Sequence, residues 1–143
     1  MTPVEDRLAE LRRHLRHLRD LTPRVESAED LEEDLSLHND VLFSLLTVAQ
    51  LVIDVAGHFS AEGGLPFQDY TTAVRNLAHL PDKPFPRDMV RTLERLPGFR
   101  NILVHEYVGL DYDLVVRAVE ELEPVEAFAR EAARRLAEEA GER

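Results

Sequence analysis

Arg100, Asn101, His105 and Tyr107 fall close together in the run Phe99-Arg100-Asn101-Ile102-Leu103-Val104-His105-Glu106-Tyr107, spaced R-x4-H-x-Y. On a helix turning ~100° per residue, Tyr107, Arg100, Val104, Asn101 and His105 share an arc of about 160°, with Ile102, Glu106, Phe99 and Leu103 opposite. One face then carries a permanent cation, an amide, an imidazole and a phenol. The imidazole exchanges a proton near neutral pH, and the guanidinium holds a phosphate through paired hydrogen bonds. Those are the tools for breaking a phosphodiester by attack of an RNA 2′-hydroxyl: histidine moves the proton, and arginine stabilises charge on the transition state. Arg100 and His105 are about 140° apart on an ideal helix, so they cannot converge tightly on one atom from a single chain. Two copies facing each other across a seam would solve this.

The segment resembles the signature of HEPN domains, specifically their HepT-like branch. Gly98-Phe99-Arg100-Asn101 before the motif, His105-Glu106-Tyr107 at its close and Asp111 after a short gap match the family pattern. Upstream, Ala49-Gln50-Leu51-Val52-Ile53-Asp54-Val55-Ala56-Gly57-His58 resembles the family's A-x4-D-x-A-x2-H helix. The likeness extends over residues 3–140. It implies a metal-independent endoribonuclease toxin, working as a homodimer on RNA in the cleft between subunits, with Arg100 and His105 catalytic. It also implies an antitoxin partner, a minimal nucleotidyltransferase of the MntA type, which silences the toxin by attaching AMP to a tyrosine near the motif. Tyr107 is the matching position, and Ile102 stands where some relatives offer another tyrosine. HEPN domains paired with nucleotidyltransferases also include non-catalytic adaptors, which is the alternative function.

Three further groups bear on the site. Asp54 and His58 stand at i and i+4, so they share a helix face and either pair with each other or support the motif, Asp54 orienting Asn101, Arg100 or His105. Glu106 points away and reads as a solvated charge. Glu10, His14 and His17 have helix spacing suited to a metal, but Arg13 and Arg16 beside them repel one, so no metal is expected. There is no Walker loop, dinucleotide fingerprint or nucleophile elbow, and no cofactor is expected.

The 143 residues suit a single domain over 1–143, and the absence of cysteine removes disulfides and thiolate metal sites. A net charge of −11 is unusual for a protein that handles RNA. Its distribution is uneven. Residues 1–24 carry six Arg against four acids, and residues 70–110 carry five Arg and one Lys against four acids. Residues 25–69 hold ten acids and no Lys or Arg, and residues 111–143 hold ten acids against five Arg. A local RNA groove is compatible with this pattern; RNA binding by the whole surface is not. The acidic start is unlike a signal peptide, and the apolar run Val41 to Ala56 is interrupted by Ser44, Thr47, Gln50 and Asp54, so no membrane span and a cytoplasmic location are expected.

The elements that must position the motif are helical throughout. Val4, Leu8, Leu11, Leu15, Leu18 and Leu21 make one apolar stripe, ended by Thr22-Pro23. Ser27 with Asp30 starts a second helix near Ala28, running to Ala56 and apolar on most of its circumference from Val41 onward. A thin polar line, Ser44, Thr47, Gln50, Asp54 and His58, follows it. Phe67 to Ala78 mark a third helix, and Pro86 opens a fourth. Pro97-Gly98 should kink or break that helix before Phe99 restarts helical pattern to about Val108. Gly109 ends the piece, Asp111 caps the next through Leu122, and Val125 to Ala140 form the last. The expected architecture is all-α, an up-and-down bundle of five to six helices.

Overall fold

The computed structural model describes residues 2–142. Among them there is no strand; eight α-helical segments and two short 3₁₀ turns build an up-and-down bundle. Five helices have nine or more residues: α1 (Pro3–Leu21), α3 (Leu35–Glu62), α6 (Leu96–His105), α7 (Tyr112–Glu120) and α8 (Glu123–Glu142). The shorter ones are α2 (Ala28–Glu33), α4 (Tyr70–Arg75) and α5 (Arg87–Leu93).

α1 forms as its sequence demands. Thr2 caps it and exchanges hydrogen bonds with Glu5, and the six leucine and valine positions of the stripe are all buried. Ser27 and Asp30 likewise make a capping box at the start of α2. The continuous second helix is divided, however. Asp34 takes an extended backbone (φ −122°, ψ 97°), closes α2, and accepts a hydrogen bond from the Leu37 N–H at 3.1 Å, so its carboxylate caps α3.

α3 is the central element, packed most extensively against α1 and α6. Val41, Val48, Val52 and Val55 along it are fully buried, each worth ~1.5–3 kcal/mol of apolar burial. It continues past Gly57 to Glu62. A Cβ on Gly57 would meet only Phe67, at 3.4 Å; at Gly63, which caps the helix end, a Cβ would come within 2.8 Å of Leu80, so the close approach there suits glycine. By length and composition α3 could cross a membrane, but half of its apolar window is buried inside the bundle, as in the core helix of a folded domain. Phe59, Phe85 and Phe128 stack in sequence at 5.6 and 5.2 Å and tie α3 and α8 through the loop before α5.

The expected break near Pro97-Gly98 falls earlier, at Glu94-Arg95. Pro97 lies in the first turn of α6, where its missing N–H costs no hydrogen bond. The far end of α6 also differs from expectation. The helix stops at His105, and Glu106 closes it with φ −119° and ψ 34°. The apolar and aromatic run Tyr107-Val108 continues a helical pattern only on paper: Gly109 adopts φ +76°, and Asp111 starts α7 by accepting from the Asp113 N–H at 3.0 Å.

Candidate active site

Three helices, α3, α4 and α6, meet at Arg100. Its Nε donates to Gln50 Oε1 at 3.0 Å, Nη1 donates to Asn101 Oδ1 at 3.1 Å, and the guanidinium lies 5.8 Å over the Tyr70 ring. Gln50 in turn donates from Nε2 to Asp54 Oδ1 at 3.0 Å, and Asp54 Oδ2 lies 3.6 Å from Arg7 Nε on α1. The polar line on α3 therefore continues into a relay, Arg7–Asp54–Gln50–Arg100, crossing from α1 through α3 to α6. Gln50 uses both ends of its amide, which fixes the Arg100 side chain about its Nε. Beside this side chain lies a groove of about 530 Å³ bounded by Phe67, Gln68, Tyr70, Gly98 and Asn101, two of which, Tyr70 and Asn101, are contacts of Arg100.

The predicted residues divide into those this arrangement gathers and those it does not. Arg100, Asn101 and Asp54 belong to it, Asp54 through Gln50 rather than directly. The pairing of Asp54 with His58 is not made. Asp54 is taken by Gln50 one turn back and by Arg7, while His58 Nε2 lies 3.1 Å from Glu62 Oε1 at the C-terminal end of α3. His105 is the last residue of α6, exposed, and without a hydrogen bond or ion pair among the described residues. Tyr107 lies beyond the helix and is 68% exposed, with Val108 beside it 86% exposed. Tyr107 therefore does not align with Arg100 along a helix as expected: its phenol sits on an open loop beyond the end of α6. Glu106 is solvent-exposed, as expected.

Sequence reasoning missed Gln50 and Tyr70. Gln50 stood in the polar line, and its position one turn before Asp54 was the available signal. Tyr70 had none, because its ring reaches Arg100 only once α4 packs beside α6. Glu10, His14 and His17 turn to different partners. Glu10 binds Arg13 and lies 3.6 Å from His14 Nε2, His14 Nδ1 lies 3.0 Å from Ser44 Oγ, and His17 Nε2 lies 2.7 Å from Asp40 Oδ1. Burial holds the His14 imidazole below its ordinary pKa, against the opposing pull of Glu10.

An all-helical bundle with an arginine pinned at a surface groove, and a histidine five residues on at the helix end, is the arrangement of a HEPN domain. The chain belongs to the Ribonuclease HepT-like family, which residues 11–132 match. It is similar to the mRNA nuclease HepT of Shewanella oneidensis, 30% identical over 100 residues, covering 68% of this chain and 73% of that one. Among solved structures it resembles the tri-AMPylated S. oneidensis HEPN toxin in complex with MNT antitoxin. That match has a TM-score of 0.76 and 24% identity over 94% of this chain and 99% of the other. A toxin–antitoxin complex with AMP-PNP matches with a TM-score of 0.73 and 24% identity, over 92% and 99% of the two chains. These two likenesses establish the fold.

Proposed function

We propose that this chain is the ribonuclease toxin of a toxin–antitoxin pair, a single HepT-like domain that acts as a metal-independent endoribonuclease. The observation that carries the reading is Arg100, held at its inner nitrogen by Gln50, on the helix that ends in His105, exposed and unpartnered among the described residues. A scissile phosphate seated on the guanidinium would offer the adjacent 2′-hydroxyl to His105, of the same chain or of a second copy, which takes its proton. The 2′-oxygen then bonds to phosphorus, the bond to the 5′-oxygen breaks, and that oxygen leaves with a proton. Products end in a 2′,3′-cyclic phosphate and a 5′-hydroxyl. The reaction needs one group to accept a proton and another to donate one, and a single His105 cannot do both in one step. A homodimer supplies the second imidazole, and exposed Leu35 and Phe43 on α3, 70% and 64% exposed, offer apolar surface for such a seam.

The name of the solved relative, a tri-AMPylated toxin bound to its antitoxin, supports a nucleotidyltransferase partner of the MntA type for this chain. Tyr107 is our candidate for the modified residue, because its phenol is open to a modifying enzyme next to His105. An attached AMP adds one negative charge and a nucleoside, which would occupy the guanidinium and repel an RNA backbone.

The net charge of −11 favours the second reading, a non-catalytic adaptor for the same partner. Incubating the purified protein with assorted RNAs, tRNA included, beside His105→Ala separates the two. Cleavage by wild type and none by the variant supports the nuclease; no cleavage by either, together with no toxicity on expression alone, supports the adaptor.

A further inference from the structure

A second convergence of ligand-bearing side chains lies at the C-terminal end of α3, one turn beyond Asp54. His58 and Glu62, at i and i+4, face Glu139 from α8, and one donor atom from each lies within 4.8 Å of the others. Gln50 and His58 are eight residues apart on α3, or ~12 Å along its axis, so the group is remote from Arg100.

This is more than a pair of surface acids. One donor is an imidazole, which moves the preference of the site from magnesium or calcium toward zinc. Nε2 of His58 is buried and has no properly directed hydrogen bond, although Glu62 stands nearby. An unsatisfied buried nitrogen is costly unless something else takes its lone pair. Glu62 and Glu139 bring two carboxylates together beside that nitrogen. A pocket of about 400 Å³, lined by Glu62, Gly63, Leu80, Arg135 and Glu139, adjoins the group and has room for a water.

We propose that His58, Glu62 and Glu139 form a zinc site that fastens the last turns of α8 to the end of α3. Zinc takes nitrogen and carboxylate oxygen at about 2.0–2.2 Å, in a tetrahedron that a water completes. Donors in such a shell stand about 3.4 Å apart, so rotation of the two partly exposed glutamates closes the distance. The metal meets the orphaned nitrogen and offsets the two carboxylates at once. It joins residues far apart in the chain and contributes stability rather than chemistry at the RNA site.

The test uses full-length protein stripped with EDTA and dialysed, then titrated with zinc chloride while heat of binding and thermal unfolding are followed. One equivalent should bind, and a hundredfold excess over Kd should raise Tm by roughly 5–10 °C. Glu139→Gln and His58→Gln should each weaken binding at least about tenfold, whereas His17→Gln should leave it unchanged. Should His58→Gln prove misfolded by circular dichroism, Glu139→Gln, in the outer turns of α8, decides alone. RNA cleavage by wild type should be the same before and after stripping, so failure here and failure of the nuclease reading are separate results. No zinc binding, full binding by Glu139→Gln, loss of binding in His17→Gln, or an equal response to magnesium chloride would each overturn the proposal.

Discussion

Arg100 and His105 stand on the same ten-residue helix, yet their surroundings are opposites. Arg100 is anchored by Gln50 from α3, by its neighbour Asn101 and by the Tyr70 ring from α4. His105 ends the helix with no protein partner among the described residues, and the loop beyond it is open to solvent. A phosphate clamp gains from being rigid, because its geometry is then set before substrate arrives. A proton carrier on a helix end gains from being completed by something outside the chain. The difference between the two residues teaches which half of the proposed site this chain anchors by itself and which half a second copy would complete in the proposed dimer.

The largest effects should come from removing the two residues themselves. Arg100→Ala and His105→Ala should each lower RNA cleavage by ~10²–10⁴-fold while leaving the helical circular-dichroism spectrum unchanged. Survival of cleavage in His105→Ala, or a strict requirement for Mg²⁺, would show that the chemistry lies elsewhere.

The asymmetry makes a sharper prediction for the supporting residue. Gln50→Leu keeps the size of the side chain and removes the acceptor for Arg100 Nε, so cleavage should fall about tenfold, the equivalent of one charge-assisted hydrogen bond at about 1.5 kcal/mol. Among the described residues none plays that part for His105. Its dependence should instead be on concentration: light scattering should report a dimer at micromolar protein, and specific activity should fall on dilution through the dimer–monomer transition. A protein that cleaves RNA fully as a monomer would break the comparison.

Modification should likewise distinguish the open end from the anchored one. Co-expression with a nucleotidyltransferase of the MntA type should add AMP to wild type, and Tyr107→Phe should lose that label while remaining toxic. A label found on Tyr70 would mean that the anchored side is the target; one on Tyr112 would place it beyond the loop.

The smallest effect is on stability. The neutral imidazole of His14 is favoured in the fold because burial lowers its pKa below 6.5, its ordinary value. Its contribution is complete above that value and falls away as acid protonates the unfolded chain first, levelling off below the folded pKa. Denaturant midpoints should therefore drop between about pH 7 and pH 5, and His14→Gln should flatten that drop.

How much of this could be read from residues alone depended on the range of the interactions. Local signals were clear: the α1 stripe, the Ser27–Asp30 box and the Asp111 cap need only neighbours within a turn. The R-x4-H motif was visible for the same reason. Helix ends set by backbone conformation were not, since the Tyr107-Val108 pair fits a helical pattern until Gly109 turns to positive φ. Partnerships between helices were the least accessible. Gln50 reads as a solvated amide until α6 docks across α3, and His58 reads as the partner of Asp54 until α8 returns and brings Glu139 beside it.

Asp34 decides whether the first third of this chain contains a rod or an elbow. With its carboxylate spent on the Leu37 N–H, the chain bends there, and α2 lies across α7 with Leu31 buried beneath it. Tyr112, in the first turn of α7, is held from the other side by His38 at 5.5 Å. The open loop that carries Tyr107 is thus strung between two moorings, the end of α6 and a helix pinned by residues some seventy positions upstream. Asp34→Ala should cost only about 1 kcal/mol as a lost cap. It would also let α2 run on into α3, draw Leu31 out of the bundle and slacken the mooring on the far side of the loop. A carboxylate with no chemistry of its own would then govern how Tyr107, the tyrosine proposed for modification, is presented.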